Sequence, residues 1–264
     1  YKYPKAITLA SSYNTIASSF NPSSQGGYIR TGVEMSNDGT KFFNISEYST
    51  NHVYEYDLST AFDLSTATVA AADSFDPPQT YGADIKFNPD GTRMWIATTS
   101  NNRMYQYDLS TPFDVSTRGS AGLFDPSITV HGFAVVNKGN TMFTQGYSSS
   151  TSTTLTKFTL TTPYDITGTV TNNGGIILSS STIGVTDVRG YGGDWSEDGK
   201  QFIMGTISGT NDLFTINFAT AYDLTSTKTY NVASTNGKPG GVKVVDNGTK
   251  MIWGDENAQT YRLF

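Results

Sequence analysis

The sequence predicts an all-β protein, a five-bladed β-propeller built from four-stranded antiparallel blades. Three observations support this fold class. Glycine-containing turns recur five times at intervals of about 50 residues, which is the period of a propeller blade. One phrase occurs twice, as VYEYDLSTAFDLST from residue 53 and as MYQYDLSTPFDVST from residue 104. The 264 residues are rich in Gly, Ser, Thr, Asn and Tyr, which is typical of strands and turns.

The five turns mark the inner hairpin of each blade, because Asp-Gly and Asn-Gly pairs favour tight hairpin turns. They are SNDGTKFF (36–43), NPDGTRMW (88–95), NKGNTMF (137–143), SEDGKQF (196–202) and VDNGTKMIW (245–253). A short apolar strand precedes each turn, as GVEMS, ADIKF, GFAVV, GGDWS and GVKVV at 32, 83, 132, 192 and 241. A second strand follows each turn. These two strands are predicted to be the innermost pair of each blade.

The third strand of each blade alternates apolar and polar residues. The first apolar position is occupied by Tyr56, Tyr107, Phe158, Ile216 and Tyr261. The position two residues later is occupied by Leu58, Leu109, Leu160, Phe218 and Leu263. A spacing of two places both positions on one face of a strand, so we expect them to pack against a neighbouring blade.

The segment that includes DLSTAFDLST, which we call the constant loop, is predicted to connect the third strand to the fourth. Its aromatic-Asp pair occurs in four blades, at Phe62-Asp63, Phe113-Asp114, Tyr164-Asp165 and Tyr222-Asp223. We expect the aromatic ring to insert into the core, and the Asp, Ser and Thr side chains to cap loop amides. Because the segment barely varies between blades, we interpret it as structural.

The fifth copy stops at TYRLF (260–264), after its third strand. We expect the N-terminus to supply the missing outer strand, because TIASSFNP (15–22) resembles AAADSFDP (70–77) and SAGLFDP (120–126). Pairing the two chain ends would close the ring. We therefore predict one domain, residues 1–264, with blades at about 32–75, 83–124, 132–178, 191–233, and 240–264 together with 13–20.

These motifs carry a resemblance to known repeats. The S-x-D-G-T-K turn, followed by an apolar strand and V-Y-x-Y-D-L-S-T, resembles the YVTN-type propeller repeats of bacterial surface proteins. The YDLST-x-FD-x-ST phrase is similar to repeats of tail and fibre proteins of marine bacteriophages. The resemblance covers essentially the whole chain and implies the propeller fold. It implies little about activity, since propellers serve as enzymes, lectins and scaffolds.

Composition argues against several classes of function. The net charge is -6 and the pI is about 4.8, so a nucleic-acid backbone would be repelled and is not an expected partner. No apolar run approaches the roughly 18 residues of a membrane span, so membrane insertion is not expected. The chain has no cysteine, which excludes disulfides and thiolate sites. His52 and His131 fall in different blades without a carboxylate cluster, so neither a metal nor a cofactor is predicted.

Function is expected where the blades differ. The loops that enter the innermost strands and those that join second to third strands share one face, which we call the loop face; the glycine turns and constant loops form the opposite turn face. Near the channel mouth we expect the ligand-binding candidates Tyr28, Arg30, Tyr81, Asp84, His131, Arg189 and Tyr191. Aromatic rings and planar donors suit sugar recognition. The alternative is ordinary loop polarity, with tyrosines half-buried at blade seams.

The innermost strands carry three carboxylates, Glu34, Asp84 and Asp194, in places where five-bladed arabinanases hold theirs. Glycoside hydrolysis needs an acid and a base or nucleophile at a defined separation. In register, Glu34 aligns with Lys86, Ala134, Asp194 and Lys243, a ring whose charges cancel. We expect a salt-bridged lining that keeps its carboxylates ionised and supplies no acid of raised pKa. Asp84 stands apart, because the other blades have glycine at its position.

These observations favour a non-catalytic recognition or structural module, with no catalytic residues. We expect it on a phage virion, in a tail or fibre, or in a secreted bacterial surface protein, and so extracellular or virion-associated. The expected partner is a surface polysaccharide or another virion or cell-surface protein, with a glycan as the specific hypothesis. Two alternatives stay open, an arabinanase-type glycoside hydrolase and a protein-docking scaffold that uses the turn face.

Overall fold

A computed structural model describes residues 12–13, 15–22, 29, 31–46, 52–196, 198–207, 212–235 and 237–264. Within these residues the chain forms five sheets, and four antiparallel strands of each form a blade; in blades 1 to 4 these strands run in chain order from the axis to the rim. The predicted five-bladed propeller of four-stranded blades is confirmed.

The strands group into blades in chain order. Two strands precede blade 1, namely β1 (Ser12–Tyr13) and β2 (Ser18–Phe20). Blade 1 contains β3 (Val33–Met35), β4 (Lys41–Ile45), β5 (Val53–Leu58) and β6 (Ala67–Phe75). Blade 2 contains β7 (Gly82–Phe87), β8 (Arg93–Thr98), β9 (Arg103–Asp108) and β10 (Gly122–Phe124). Blade 3 contains β11 (Gly132–Val136), β12 (Thr141–Ser149), β13 (Ser152–Leu160) and β14 (Val170–Ser179). Blade 4 contains β15 (Gly193–Trp195), β16 (Gln201–Gly205), β17 (Asp212–Phe218) and β18 (Lys228–Thr235). Blade 5 contains β19 (Pro239–Val245), β20 (Lys250–Asp255), β21 (Thr260–Leu263) and, on its outer edge, β2.

Helical structure is limited to short turns in the described part of the chain. A four-residue helix, α1 (Ser180–Ile183), follows blade 3. Single 3-10 turns lie at Leu64–Thr66 and Val115–Thr117, whereas the turns at Asn137–Gly139 and Asp246–Gly248 have a left-handed backbone. No helix among the described residues has the length and apolar character needed to cross a membrane.

The ring closes as predicted, by pairing of the two chain ends. Strand β2 runs antiparallel to β21, with Ser18 opposite Leu263 and Phe20 opposite Tyr261. The two residues of β1 instead pair in parallel with the end of β18. Tyr13, which we expected in blade 5, therefore lies at the edge of blade 4.

The third strand of blade 5 differs from its predicted register. Phe264, not Tyr261, takes the place of Tyr56, because its backbone exchanges two hydrogen bonds with Met251, at 2.9 and 3.0 Å. Tyr261 and Leu263 consequently pack toward blade 1. The offset is three residues, and an odd shift reverses the face on which every side chain of a strand lies.

The core lies at the seams between blades. Five apolar clusters each join residues from adjacent blades, and the three tryptophans are buried within them. Trp195 stacks on Phe143 of the preceding blade with ring centroids 4.0 Å apart. Each blade is thus stabilised mainly by its two neighbours.

The constant loops cap themselves as the sequence predicts. In blade 1, the Asp63 carboxylate accepts hydrogen bonds from the Ser65 amide at 3.0 Å and the Ser65 hydroxyl at 2.6 Å. The Thr66 hydroxyl donates to the Asp63 carbonyl at 2.8 Å. Blades 2, 3 and 4 repeat the carboxylate cap at Asp114, Asp165 and Asp223.

The aromatic residue of the constant loop does not enter the core. Phe62 is only half-buried and adopts a left-handed backbone with φ of 58°. Its N–H donates to the Gly39 carbonyl at 2.9 Å. Its ring covers Gly39, where a Cβ atom would lie 2.6 Å from the ring. The residue that fills the core is the aliphatic one two positions later, Leu64, which is fully buried.

Candidate functional site

The seven candidate residues fall into four groups. Tyr28 and Arg30 lie outside the described residues. His131, Arg189 and Tyr191 come together on the loop face between blades 3 and 4. Tyr81 lies on the loop before β7, and Asp84 lies inside the axis of the propeller.

His131 and Tyr191 belong to an aromatic cluster with Tyr147. The imidazole of His131 stacks on the Tyr147 ring with centroids 3.7 Å apart, and the Tyr191 ring meets His131 edge-on at 5.3 Å. The hydroxyls of Tyr147 and Tyr191 lie 3.0 Å apart, within hydrogen-bond distance. His131 and Tyr191 are nearly fully buried, whereas Tyr147 is half-buried. The two predicted residues therefore support a third one that reaches the surface.

Arg189 is held beside this cluster by a buried carboxylate. Its Nε and Nη2 atoms donate to Asp187 Oδ2 at 3.0 and 2.7 Å, and its backbone N–H donates to Oδ1 at 2.7 Å. The hydrogen bond to Asp187 raises the pKa of Arg189, and the nearby phenols of Tyr147 and Tyr191 act in the same direction. The guanidinium is fixed in orientation but about one-third exposed, so it still has donors to offer a ligand.

Tyr81 combines exposure with an unusual backbone. It is one of the few exposed large hydrophobic residues of the described chain and has φ of 61°. Its carbonyl accepts the Thr99 N–H at 2.9 Å, which fixes the loop. A bulky residue in the left-handed region is uncommon, although the aromatic residues of the four constant loops share this backbone.

Asp84 is fully buried and well partnered, contrary to the expectation that it stands alone. Its Oδ1 accepts from the ammonium of Lys86 at 3.0 Å and from the Ile85 N–H at 2.9 Å. Its Oδ2 accepts from the Phe133 N–H of blade 3 at 3.0 Å. The carboxylate occupies the space left by the glycine at the same position in blade 1, Gly32.

The remaining axial charges form part of the salt-bridged ring that the sequence predicts, because Lys86, the other lysine of that ring, pairs with Asp84 instead. The Lys243 ammonium lies 3.1 Å from Glu34 Oε1 and 3.6 Å from Asp194 Oδ2. All three side chains are almost completely buried. Blades 1, 4 and 5 are thereby joined at the axis.

The expectation that the axis holds no carboxyl of raised pKa is wrong. Burial raises the pKa of Asp84 to about 6, although Lys86 and the Phe133 N–H oppose the shift. Burial also raises the pKa of Glu34 above its ordinary value, against the influence of Lys243. The ion pairs with lysine reduce the rise in pKa that burial causes, but they do not cancel it. The three axial carboxylates nevertheless lie beneath the surface, at most 2 % exposed.

Sequence reasoning missed Tyr147 and Asp187. Tyr147 lies near the end of β12 and Asp187 lies in the loop before β15, and both segments vary between blades, so no repeat alignment draws attention to them. Asp187 lies two residues before Arg189, a spacing that in retrospect favours a local pair. No group of three or more His, Asp or Glu side chains suited to a metal ion occurs in the part of the chain described.

Comparisons with known proteins support the fold alone. No protein-family model matches the chain, and no curated protein matches it. Among solved structures, it is similar to a chain of the Nidogen/Laminin complex, with TM-score 0.53, 10 % identity, and coverage of 85 % of this chain and 71 % of that chain. It is also similar to a functionally unknown protein from Desulfotomaculum acetoxidans DSM 771, with TM-score 0.47, 17 % identity and 85 % of this chain covered. This chain spans 62 % of the length of the Desulfotomaculum protein.

Proposed function

We propose that this propeller is a non-catalytic recognition module whose loop face binds a surface glycan. The observation that carries the proposal is the cluster of Tyr147, Tyr191 and His131 beside the clamped guanidinium of Arg189. It offers an aromatic surface next to fixed donors, which is the combination that sugar rings require. Such a site on variable loops above a rigid frame is typical of binding proteins.

The exposed Tyr81 is a second point of contact in this proposal. Tyr147 and Arg189 act as direct contacts, while His131 and Tyr191 hold the Tyr147 ring in place. Asp84 has no part in ligand binding, because it is buried and its oxygens accept from Lys86 and from two backbone amides.

A glycoside hydrolase is less well supported than a binding module. Asp84 has the raised pKa of a general acid, but a catalytic acid must reach the glycosidic oxygen. Its side chain and those of Glu34 and Asp194 are enclosed by the innermost strands. The similarity of the YDLST phrase to phage tail and fibre repeats supports a location on a virion or bacterial surface, with a host polysaccharide as the partner.

The test is binding of purified protein and its loop-face variants to a glycan array. Tyr81→Gly removes the ring and relieves the left-handed strain, so we expect binding to weaken about tenfold without a lower melting temperature. Arg189→Lys keeps a charge beside Asp187 but loses the planar donor fork, and should weaken binding similarly. We avoid Arg189→Ala, because it would leave the buried Asp187 poorly compensated and lower stability as well.

Arg103→Lys is the matched control, since Arg103 is an exposed arginine that forms only a loose ion pair, 3.7 Å from Asp125. It should bind as the unchanged protein does. Binding that survives both loop-face variants would refute the proposed site. Hydrolysis of a polysaccharide that disappears in Asp84→Asn would refute the non-catalytic assignment.

A further inference from the structure

A cleft of about 370 Å³ opens on the turn face, at the seam between blades 5 and 1. Its volume lies within the range of small-ligand sites, roughly 300 to 1,000 Å³. Met35, Phe62 and Val244 supply apolar surface, and Asn37, Asp246 and Asn247 supply polar groups. The cleft is on the opposite face from the aromatic cluster of blades 3 and 4.

The seam between blades 5 and 1 lacks two aromatic rings that are present at the seam between blades 1 and 2. At the seam between blades 1 and 2, the centroid of the Phe113 ring lies 5.3 Å from that of the Phe87 ring and 6.5 Å from that of the Phe43 ring. In strand register, the positions of Phe87 and Phe43 are occupied at the blade 5 to 1 seam by Met35 and Ile252. Met35 lines the cleft beside Phe62, and its side chain is slimmer than a phenylalanine ring, so space remains there.

The charged groups around the cleft are already neutralised. Lys243 is paired with Glu34 and Asp194 on its axial side. Asp246 is paired with Lys250 at 2.6 Å, and the Lys250 ammonium lies 4.9 Å from the centroid of the Phe62 ring. A charged ligand would have to break one of these pairs, so the site selects for a neutral one.

The polar rim offers amide groups rather than charges. The Nδ2 atom of Asn37 donates to the Pro89 carbonyl at 2.8 Å, which fixes the side chain and leaves its Oδ1 as an acceptor. Asn247 is exposed on the opposite rim, in a left-handed turn with φ of 57°. Side-chain amides both donate and accept, as hydroxyl groups do.

We propose that this cleft is a second binding site, which takes one residue of a neutral saccharide. The apolar C–H face of the sugar packs against Phe62 and Met35, and its hydroxyls exchange hydrogen bonds with Asn37 and Asn247. The inference rests on the geometry of the turn face and does not depend on glycan binding at the loop face.

The test is saturation-transfer NMR of the full chain with methyl glucoside, galactoside, mannoside and N-acetylglucosaminide at millimolar concentration. We expect at least one of them to bind. Met35→Phe introduces the residue found at the same position in blade 2, and should fill the cleft and weaken binding about tenfold or more. Asn247→Gly removes the amide and suits the left-handed backbone, so it should weaken binding several-fold without lowering the melting temperature, which guards against misfolding of Met35→Phe.

Phe87→Met is the matched control, because it makes the reverse exchange at the neighbouring seam and should leave binding unchanged. Absence of binding by all four glycosides would overturn the proposal. So would binding that is unaffected by Met35→Phe and Asn247→Gly; if Arg189→Lys then abolished it, the glycoside would be bound at the loop face instead.

Discussion

Phe62 shows how a residue of the constant loop can be held in an unfavourable backbone conformation. A left-handed φ is costly for a bulky residue, on the order of 1 to 3 kcal/mol. The Phe62 N–H bond to Gly39 and the cover that the ring provides over that glycine offset this cost. Gly39 itself has φ of 72° and no room for a Cβ atom, so the turn requires glycine for two reasons.

The different burial of Phe62 and Leu64 leads to a prediction about stability. Leu64→Ala should lower the free energy of unfolding by about 2 to 5 kcal/mol, because Leu64 is fully buried and the cavity would persist. Phe62→Ala should cost less, about 1 to 2 kcal/mol, because the ring is half-exposed. Urea denaturation of both variants measures the difference. An equal or larger loss for Phe62→Ala would contradict the assignment of Leu64 as the core residue.

At the scale of elements, the three-residue strand β2 has more contacts than its length suggests. It completes the outer edge of blade 5, and the Phe20 ring meets Tyr56 of blade 1 edge-on at 4.9 Å. The Ser18 hydroxyl oxygen accepts the Leu64 N–H at 2.9 Å. The N-terminal strand therefore ties the last blade to the constant loop of the first.

Removal of β2 should consequently destabilise the whole ring. We expect a chain that begins at Asn21 to melt well below the full chain, because the edge of β21 is exposed and the blade 5 to 1 seam loses its outer contact. A chain that begins at Thr15 lacks β1 but keeps β2 and is the control. Equal melting temperatures for all three chains, measured by calorimetry, would show that β2 does not close the ring.

The same elements show how far the sequence alone can reach. The turns, the innermost strands and the N-terminal closure can be predicted from the repeated sequence motifs, since each copy of a motif is under the same physical constraints. The register of β21 cannot be predicted in this way. An alternating strand such as TYRLF can direct its apolar side chains to either face of the sheet, and the hairpin that joins it to β20 determines which face they take. Tyr147 and Asp187 could not be singled out either, because their partners are set by contacts between segments that vary from blade to blade.

At the scale of the molecule, buried charges hold the blades together at the axis. Lys243 of blade 5 joins Glu34 of blade 1 to Asp194 of blade 4. Asp84 of blade 2 binds the Phe133 N–H of blade 3. Glycine at the position of Asp84 in the other four blades lets the backbones approach closely, as where a Cβ on Gly132 would lie 2.6 Å from the Gly192 Cα atom. A single carboxylate fits in the space that results.

The pKa of Asp84 makes the stability of the ring depend on pH. Because this pKa is raised to about 6 in the folded protein, above the roughly 3.9 of an unfolded aspartate, the folded state binds the proton more tightly. The contribution of Asp84 to stability is therefore full below pH 4 and is lost as the pH rises through 6. We expect the free energy of unfolding to fall by on the order of 1 kcal/mol between pH 5 and 7, and Asp84→Asn to abolish most of this slope.

Asp63→Asn is the control: hydrogen bonds from Ser65 lower the pKa of Asp63, so its contribution changes only at more acidic pH and the slope between pH 5 and 7 should remain. Urea titrations at several pH values measure these slopes, and an unchanged slope in Asp84→Asn would mean that another group, such as Glu34, controls the pH response.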